Sequence, residues 1–107
     1  MSVIVEFSLF PMDKGQSVGA YVARAAAIVR QSGLPAVLGP MGTCLEGEYD
    51  QVMEVVGRCV KALEPDCERI YMTVKMDWRR GRAGGLTGKL ASVEERLGAE
   101  AGGQPQS

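Results

Sequence analysis

No histidine occurs among the 107 residues. Its absence removes the general base of Ser-His-Asp and Cys-His catalysis and the imidazole ligand of most metal sites. A basic excess is also missing: 12 Lys and Arg stand against 13 Asp and Glu, a formal net charge of −1. Nothing in that balance draws the chain to a phosphate backbone or an anionic lipid surface, so nucleic acid and membrane are not expected partners. Cysteine is sparse and odd in number, at Cys44, Cys59 and Cys67, with no Cys-x-x-Cys pair. A disulfide framework needs an even, closely spaced set, so a reducing compartment is expected and the thiols read as small packing groups. No apolar run approaches the roughly 20 residues that span a bilayer. The opening MSVIVEFSLF lacks the basic region and small-residue cleavage site of a secretory leader, which makes the cytoplasm the expected location.

Apolar residues make up 46% of the chain and charged residues 23%, the balance of an ordinary globular domain. The length fits one domain with a core of thin margin.

Periodicity supplies the element order. Val3, Val5, Phe7 and Leu9 alternate with Ile4, Glu6, Ser8 and Phe10, a period-2 strand that Pro11 ends. Val18, Tyr21, Val22, Ala25, Ile28 and Val29 then follow helical spacing, with Ser17 as candidate N-cap, Gly33 at the left-handed C′ position and Pro35 blocking continuation. Ala36 to Gly47 reads as two short strands joined by the bend at Gly39-Pro40-Met41-Gly42. A second helix is expected from about Glu48 to Leu63, with the stripe Tyr49, Val52, Met53, Val56, Val60 and Leu63. Arg69 to Trp78 alternates again, with Ile70, Met72, Val74 and Met76 on one side and Tyr71, Thr73, Lys75 and Asp77 on the other. Thr87 can cap a third helix reaching Leu97, and the glycine-rich stretch from Gly98 to Ser107 reads as a disordered tail.

The order β-α-β-β-α-β plus a C-terminal helix predicts an α+β, ferredoxin-like sandwich over residues 1–97, with two helices on one face of a four-stranded antiparallel sheet. Its first and last strands are neighbours in that arrangement. The uncovered face then carries Ile4, Glu6, Ser8, Phe10, Tyr71, Thr73, Lys75 and Asp77. A face that mixes carboxylates, hydroxyls and aromatics is solvated, an oligomer interface or a ligand surface. The aromatics on it argue against bare solvent. The glycine-rich run Gly81 to Gly85 matches neither a Walker loop nor Gly-x-Gly-x-x-Gly.

Three segments carry a family resemblance. Gly39-Pro40-Met41-Gly42-Thr43-Cys44-Leu45-Glu46-Gly47 resembles the PMGTxxEG signature of the small thiamine-binding-protein family, the YkoF-like proteins. Val74-Lys75-Met76-Asp77-Trp78-Arg79-Arg80 resembles that family's lysine–apolar–aspartate–aspartate–arginine–arginine stretch, with Trp78 where a second aspartate often stands. Lys89 to Leu97 resembles its closing KxxSVEExL helix. The resemblance implies a ferredoxin-like fold, subunits paired through sheets into a homodimer or homotetramer, and, as in some members, binding of thiamine or its hydroxymethylpyrimidine moiety. The expected function is non-enzymatic binding, with no cofactor or metal.

Thiamine joins a cationic thiazolium to a flat aminopyrimidine. The first is favoured by a carboxylate or an aromatic face, and the second needs an acceptor and an apolar slot. Glu6, Glu46 and Asp77 are candidate acceptors, and Phe10, Tyr71 and Trp78 candidate faces. Ser8 and Thr43 can complete the hydrogen bonding, and Met41 and Gly42 bring the signature bend to the ligand. The alternative is a structural or regulatory homo-oligomer that uses the open face for self-assembly and binds no thiamine. A small acylphosphatase-type enzyme is a weaker option, because its phosphate loop needs an arginine and Pro11 to Ser17 offers only Lys14.

Overall fold

A computed structural model describes residues 2–16 and 18–81, together with Leu86, Val93, Arg96 and Leu97. Strand β1 (Ser2–Pro11) leads to helix α1 (Gly19–Gln31), strands β2 (Ala36–Leu38) and β3 (Thr43–Glu48), helix α2 (Tyr49–Leu63), a 3-10 turn (Glu64–Asp66) and strand β4 (Ile70–Trp78). The sheet order is β2-β3-β1-β4 with every pairing antiparallel, so the expected ferredoxin-like topology is the one observed. Leu86, Val93, Arg96 and Leu97 are helical. Ser17, Thr87 and residues 98–107 lie outside the described residues, so the expected Ser17 cap, Thr87 cap and tail are not described.

The core lies between the sheet and the two helices. Val3, Val5, Phe7 and Leu9 of β1 meet Ala25 and Val29 of α1 and Val52, Val55, Val56, Cys59 and Leu63 of α2. Fully burying a side chain such as Leu45 or Leu63 stabilises the fold by roughly 1.5–3 kcal/mol. The buried face of α2 runs through Val55 and Cys59, not through Tyr49, which is half exposed. The helix is rotated because its second half packs on α1, where the Cys59 thiol meets the Ala25 carbonyl at 3.6 Å. Gly33 takes φ +73°, the left-handed value that ends α1.

Two pins hold the loops at one end of the sheet. The Asp13 carboxylate accepts the Glu68 and Arg69 N–H groups at 3.0 and 3.2 Å, and the Glu68 bond is the main reason that its pKa lies below the ordinary value. Arg24 donates to Asp66 at 2.6 Å, tying α1 to the 3-10 turn.

Strand β4 departs from the expectation. Its register puts Met72, Val74, Met76 and Trp78 opposite Leu9, Phe7, Val5 and Val3, on the helix side as alternation requires. Yet these four side chains are 37–48% exposed in the single chain. The helices pack over β1 and β3, and β4 is an edge strand whose main contact is β1. The opposite sheet face is also partly covered. Ile4 is buried there, as are Leu86 and Glu46.

Candidate functional site

A cleft of about 300 Å³ opens at one end of the sheet, beside the β2–β3 turn. Its origin is a mismatch of strand lengths. Pairing of β1 with β3 stops at Phe7↔Thr43, whereas pairing with β4 continues to Pro11↔Ile70. Beyond Thr43 the chain bends back, and the turn is closed by the Gly39 N–H bonding to the Gly42 carbonyl at 2.9 Å. The end of β1 therefore runs on beside α1 with β4 on one edge and no β3 on the other, and the gap is the cleft. Phe7 and Leu9 line it from the helix side of β1, and Ser8 and Phe10 reach it from the other. The far wall is α1, where Ala25 and Ala26 leave room that larger side chains would fill.

The signature bend forms the rim. Pro40, Met41, Gly42 and Thr43 all line the cleft. Gly42 is favoured by close approach: a Cβ there would stand 3.3 Å from the Phe7 carbonyl oxygen and 3.2 Å from Glu6 Cγ, tighter than ordinary contact. Met41 is 87% exposed, an apolar side chain at the mouth of an apolar cleft. Among the described residues, none that lines it is charged. The nearest of the candidate carboxylates is Glu6, against Gly42, whose ion pair among the described residues is a 3.8 Å contact to an exposed Lys75. An exposed pair of this kind is worth roughly 0–1 kcal/mol, so Glu6 is free to turn toward a ligand. Cys44 sits opposite Glu6, and burial, reinforced by that carboxylate, holds its thiol above the ordinary pKa.

The candidate residues thus separate into groups. Ser8, Phe10, Met41, Gly42 and Thr43 meet at the cleft, with Glu6 beside them. Tyr71 stacks beside Phe10, ring centroids 5.8 Å apart at a 38° tilt, and extends the aromatic surface onto β4. Glu46 and Asp77 lie in a row with Ile4, near the other end of the sheet. Glu46 is 4% exposed, and its carboxylate accepts the Leu86 N–H at 3.3 Å and the Ser2 hydroxyl at 3.5 Å. Trp78 projects on the helix side of β4, under the Arg80 guanidinium at 5.4 Å from its ring centre. The α1 wall, Val18, Val22, Ala25 and Ala26, was not among the candidates, because its apolar stripe reads as core. The available signal was the run Ala25-Ala26-Ala27, too small to fill the space between helix and strand.

Among the described residues no group of three His, Cys, Asp or Glu side chains could hold one metal ion, and no helix is long and apolar enough to cross a membrane.

Comparison with known proteins agrees with this fold. The UPF0045 protein Mb1933 of Mycobacterium bovis is 42% identical over 98 residues, covering 91% of this chain and 96% of that protein. The crystal structure of the hypothetical protein MJ1052 from Methanocaldococcus jannaschii superposes with a TM-score of 0.79 at 29% identity, covering 88% of this chain and 97% of the other. A Thermotoga maritima structure, assigned provisionally to thiamine biosynthesis or salvage, shares the fold with a TM-score of 0.78 at 22% identity, over 87% of this chain and 99% of that one. The sequence model described as "Thiamine-binding protein" matches residues 5–94, a span that holds the whole cleft, and the chain belongs to that family.

Proposed function

We propose that this protein binds thiamine or its hydroxymethylpyrimidine moiety, without transforming it, in the cleft between β1, α1 and the β2–β3 turn. The observation that carries the reading is the convergence of the family's Pro40-Met41-Gly42-Thr43 bend with Ser8 and Phe10 around an uncharged cleft of about 300 Å³. That volume is at the small end for ligand pockets and suits a single flat ring with a short extension. The apolar walls favour the pyrimidine, and Glu6 at the rim and the Phe10–Tyr71 pair favour the cationic thiazolium. Three free cysteines fit a cytoplasmic setting. Isothermal titration with thiamine, thiamine phosphate and hydroxymethylpyrimidine tests the reading. Saturable heat with at least one of them is expected, and no binding at millimolar concentration of any of them overturns it.

The exposed inner row of β4 favours a second, compatible reading: the protein works as a homodimer or homotetramer. An apolar edge strand left in water invites another strand. A second copy laid antiparallel about a two-fold axis at Val74 sets Met72 against Met76 and Ile70 against Trp78 on the apolar side. On the polar side it sets Thr73 against Lys75 and Tyr71 against Asp77. An axis one residue further would oppose Lys75 to its own copy, which disfavours that register.

A further inference from the structure

The two edges of β1 are unequal at the cleft. The Met12 N–H donates to the Arg69 carbonyl at 2.7 Å, so the backbone of Met12 faces the β4 side. Backbone groups alternate sides along a strand, so Phe10 and Ser8 also face β4, and Leu9 and Pro11 face the β3 side. Phe7 shares that side with Leu9, and its carbonyl oxygen does point at Gly42, the residue just before β3. Pairing with β3 has already stopped at Thr43. Proline at position 11 brings no donor to this unpaired edge. Leu9 brings both a donor and an acceptor, and no hydrogen bond among the described residues reaches either of them. Leu9 lines the cleft and is only 6% exposed. The Leu9 N–H and C=O therefore open onto the cleft, where a ligand can pair with them in place of solvent.

We propose that the Leu9 N–H and C=O are the recognition edge of the cleft, and that the ligand completes the sheet ladder where β3 ends. In an extended residue the two groups point the same way, one donor beside one acceptor. The matching ligand edge is an acceptor ring nitrogen next to an exocyclic amino donor, which a 4-aminopyrimidine carries. A peptide strand would present similar groups, but the Gly39–Gly42 turn occupies the continuation of this edge and leaves room for a ring rather than a strand. The inference rests on the thiamine-type reading and specifies how the pyrimidine is read: by main chain, with Ser8 and Glu6 in supporting roles.

The test uses the full-length protein, labelled with nitrogen-15, and two compounds: hydroxymethylpyrimidine and the analogue lacking its 4-amino group. Saturation with hydroxymethylpyrimidine should slow hydrogen exchange at the Leu9 amide by about tenfold or more. The amino-less analogue should bind at least about tenfold more weakly, because the Leu9 carbonyl is left desolvated and unpaired. If hydroxymethylpyrimidine binds but Leu9 exchange is unchanged, or the analogue binds equally well, the backbone edge is not read and the inference falls while the thiamine reading stands. If neither thiamine nor hydroxymethylpyrimidine binds, the thiamine reading fails and this inference fails with it.

Discussion

Replacing Glu46 by glutamine separates two roles that one carboxylate can play. As a ligand acceptor it would be exposed and near the cleft. In the structure it is 4% exposed, on the sheet row shared with Ile4, with the Leu86 N–H at 3.3 Å and the Ser2 hydroxyl at 3.5 Å on the same Oε2. Hydrogen bonds to a charged acceptor contribute roughly 1.5–3 kcal/mol, against roughly 0.5–1.5 for neutral pairs. Glu46→Gln keeps the shape and removes the charge, so each bond weakens by about 1 kcal/mol, and the longer Ser2 bond counts for less. The expected loss of stability is about 1–2 kcal/mol, a fall of roughly 6–12 °C in Tm for a domain of this size. Melting should be compared at equal protomer concentration, since association would otherwise shift the midpoint. Hydroxymethylpyrimidine affinity, measured in parallel below both midpoints, should stay within about twofold. A variant that melts within a degree of the parent but binds tenfold more weakly would refute the reasoning and return Glu46 to the ligand.

Val74→Lys, at the centre of the exposed β4 row, should reduce the light-scattering mass at micromolar concentration from two or more protomers to one of 11.4 kDa; an unmodified protein already at 11.4 kDa would remove the assembly proposal. Gly42→Ala places a Cβ 3.3 Å from the Phe7 carbonyl oxygen, so turn and strand must give by a few tenths of an ångström at a cost of about 1 kcal/mol, and hydroxymethylpyrimidine should bind severalfold more weakly. Unchanged melting and unchanged titration together would contradict that close approach. Burial pushes the Cys59 thiol up to about 11 from its ordinary 9.0. The unfolded thiol therefore ionises first, and the stability conferred by the neutral buried thiol is complete below about pH 9 and lost as pH rises toward 11. Denaturant unfolding of the parent should fall by up to about 2–3 kcal/mol more than that of Cys59→Ala across this window, and parallel slopes would show that the thiol does not titrate with folding.

Much of the architecture was legible in the residues because the signals are local. The alternation of Val3 to Phe10 and of Ile70 to Trp78, the helical stripes, and Gly33 with Pro35 each act within a few residues of themselves. Their consequences reappear as β1, β4, α1 and a left-handed Gly33. The rotation of α2 was not legible, since Tyr49 and Cys59 both fit a helical stripe and only α1 decides which one is covered. The same holds for β4: alternation assigned Met72, Val74 and Met76 to the helix side, but not whether a helix reaches that far.

The cleft divides along the same line. The Pro40-Met41-Gly42-Thr43 bend and the residue types around Ser8 and Phe10 are written in the chain, and they bring the family with them. That these segments meet, that Glu46 turns to Ser2 and Leu86 instead, and that Leu9 is left with an unpaired edge follow from β3 ending opposite Phe7 while β4 runs on to face Pro11. Where a ladder stops depends on two strands separated by more than thirty positions and on how the turn between them closes. Periodicity along one strand does not encode the length of its partner, so the element types belong to the sequence and the gap between β1 and the turn belongs to the tertiary structure.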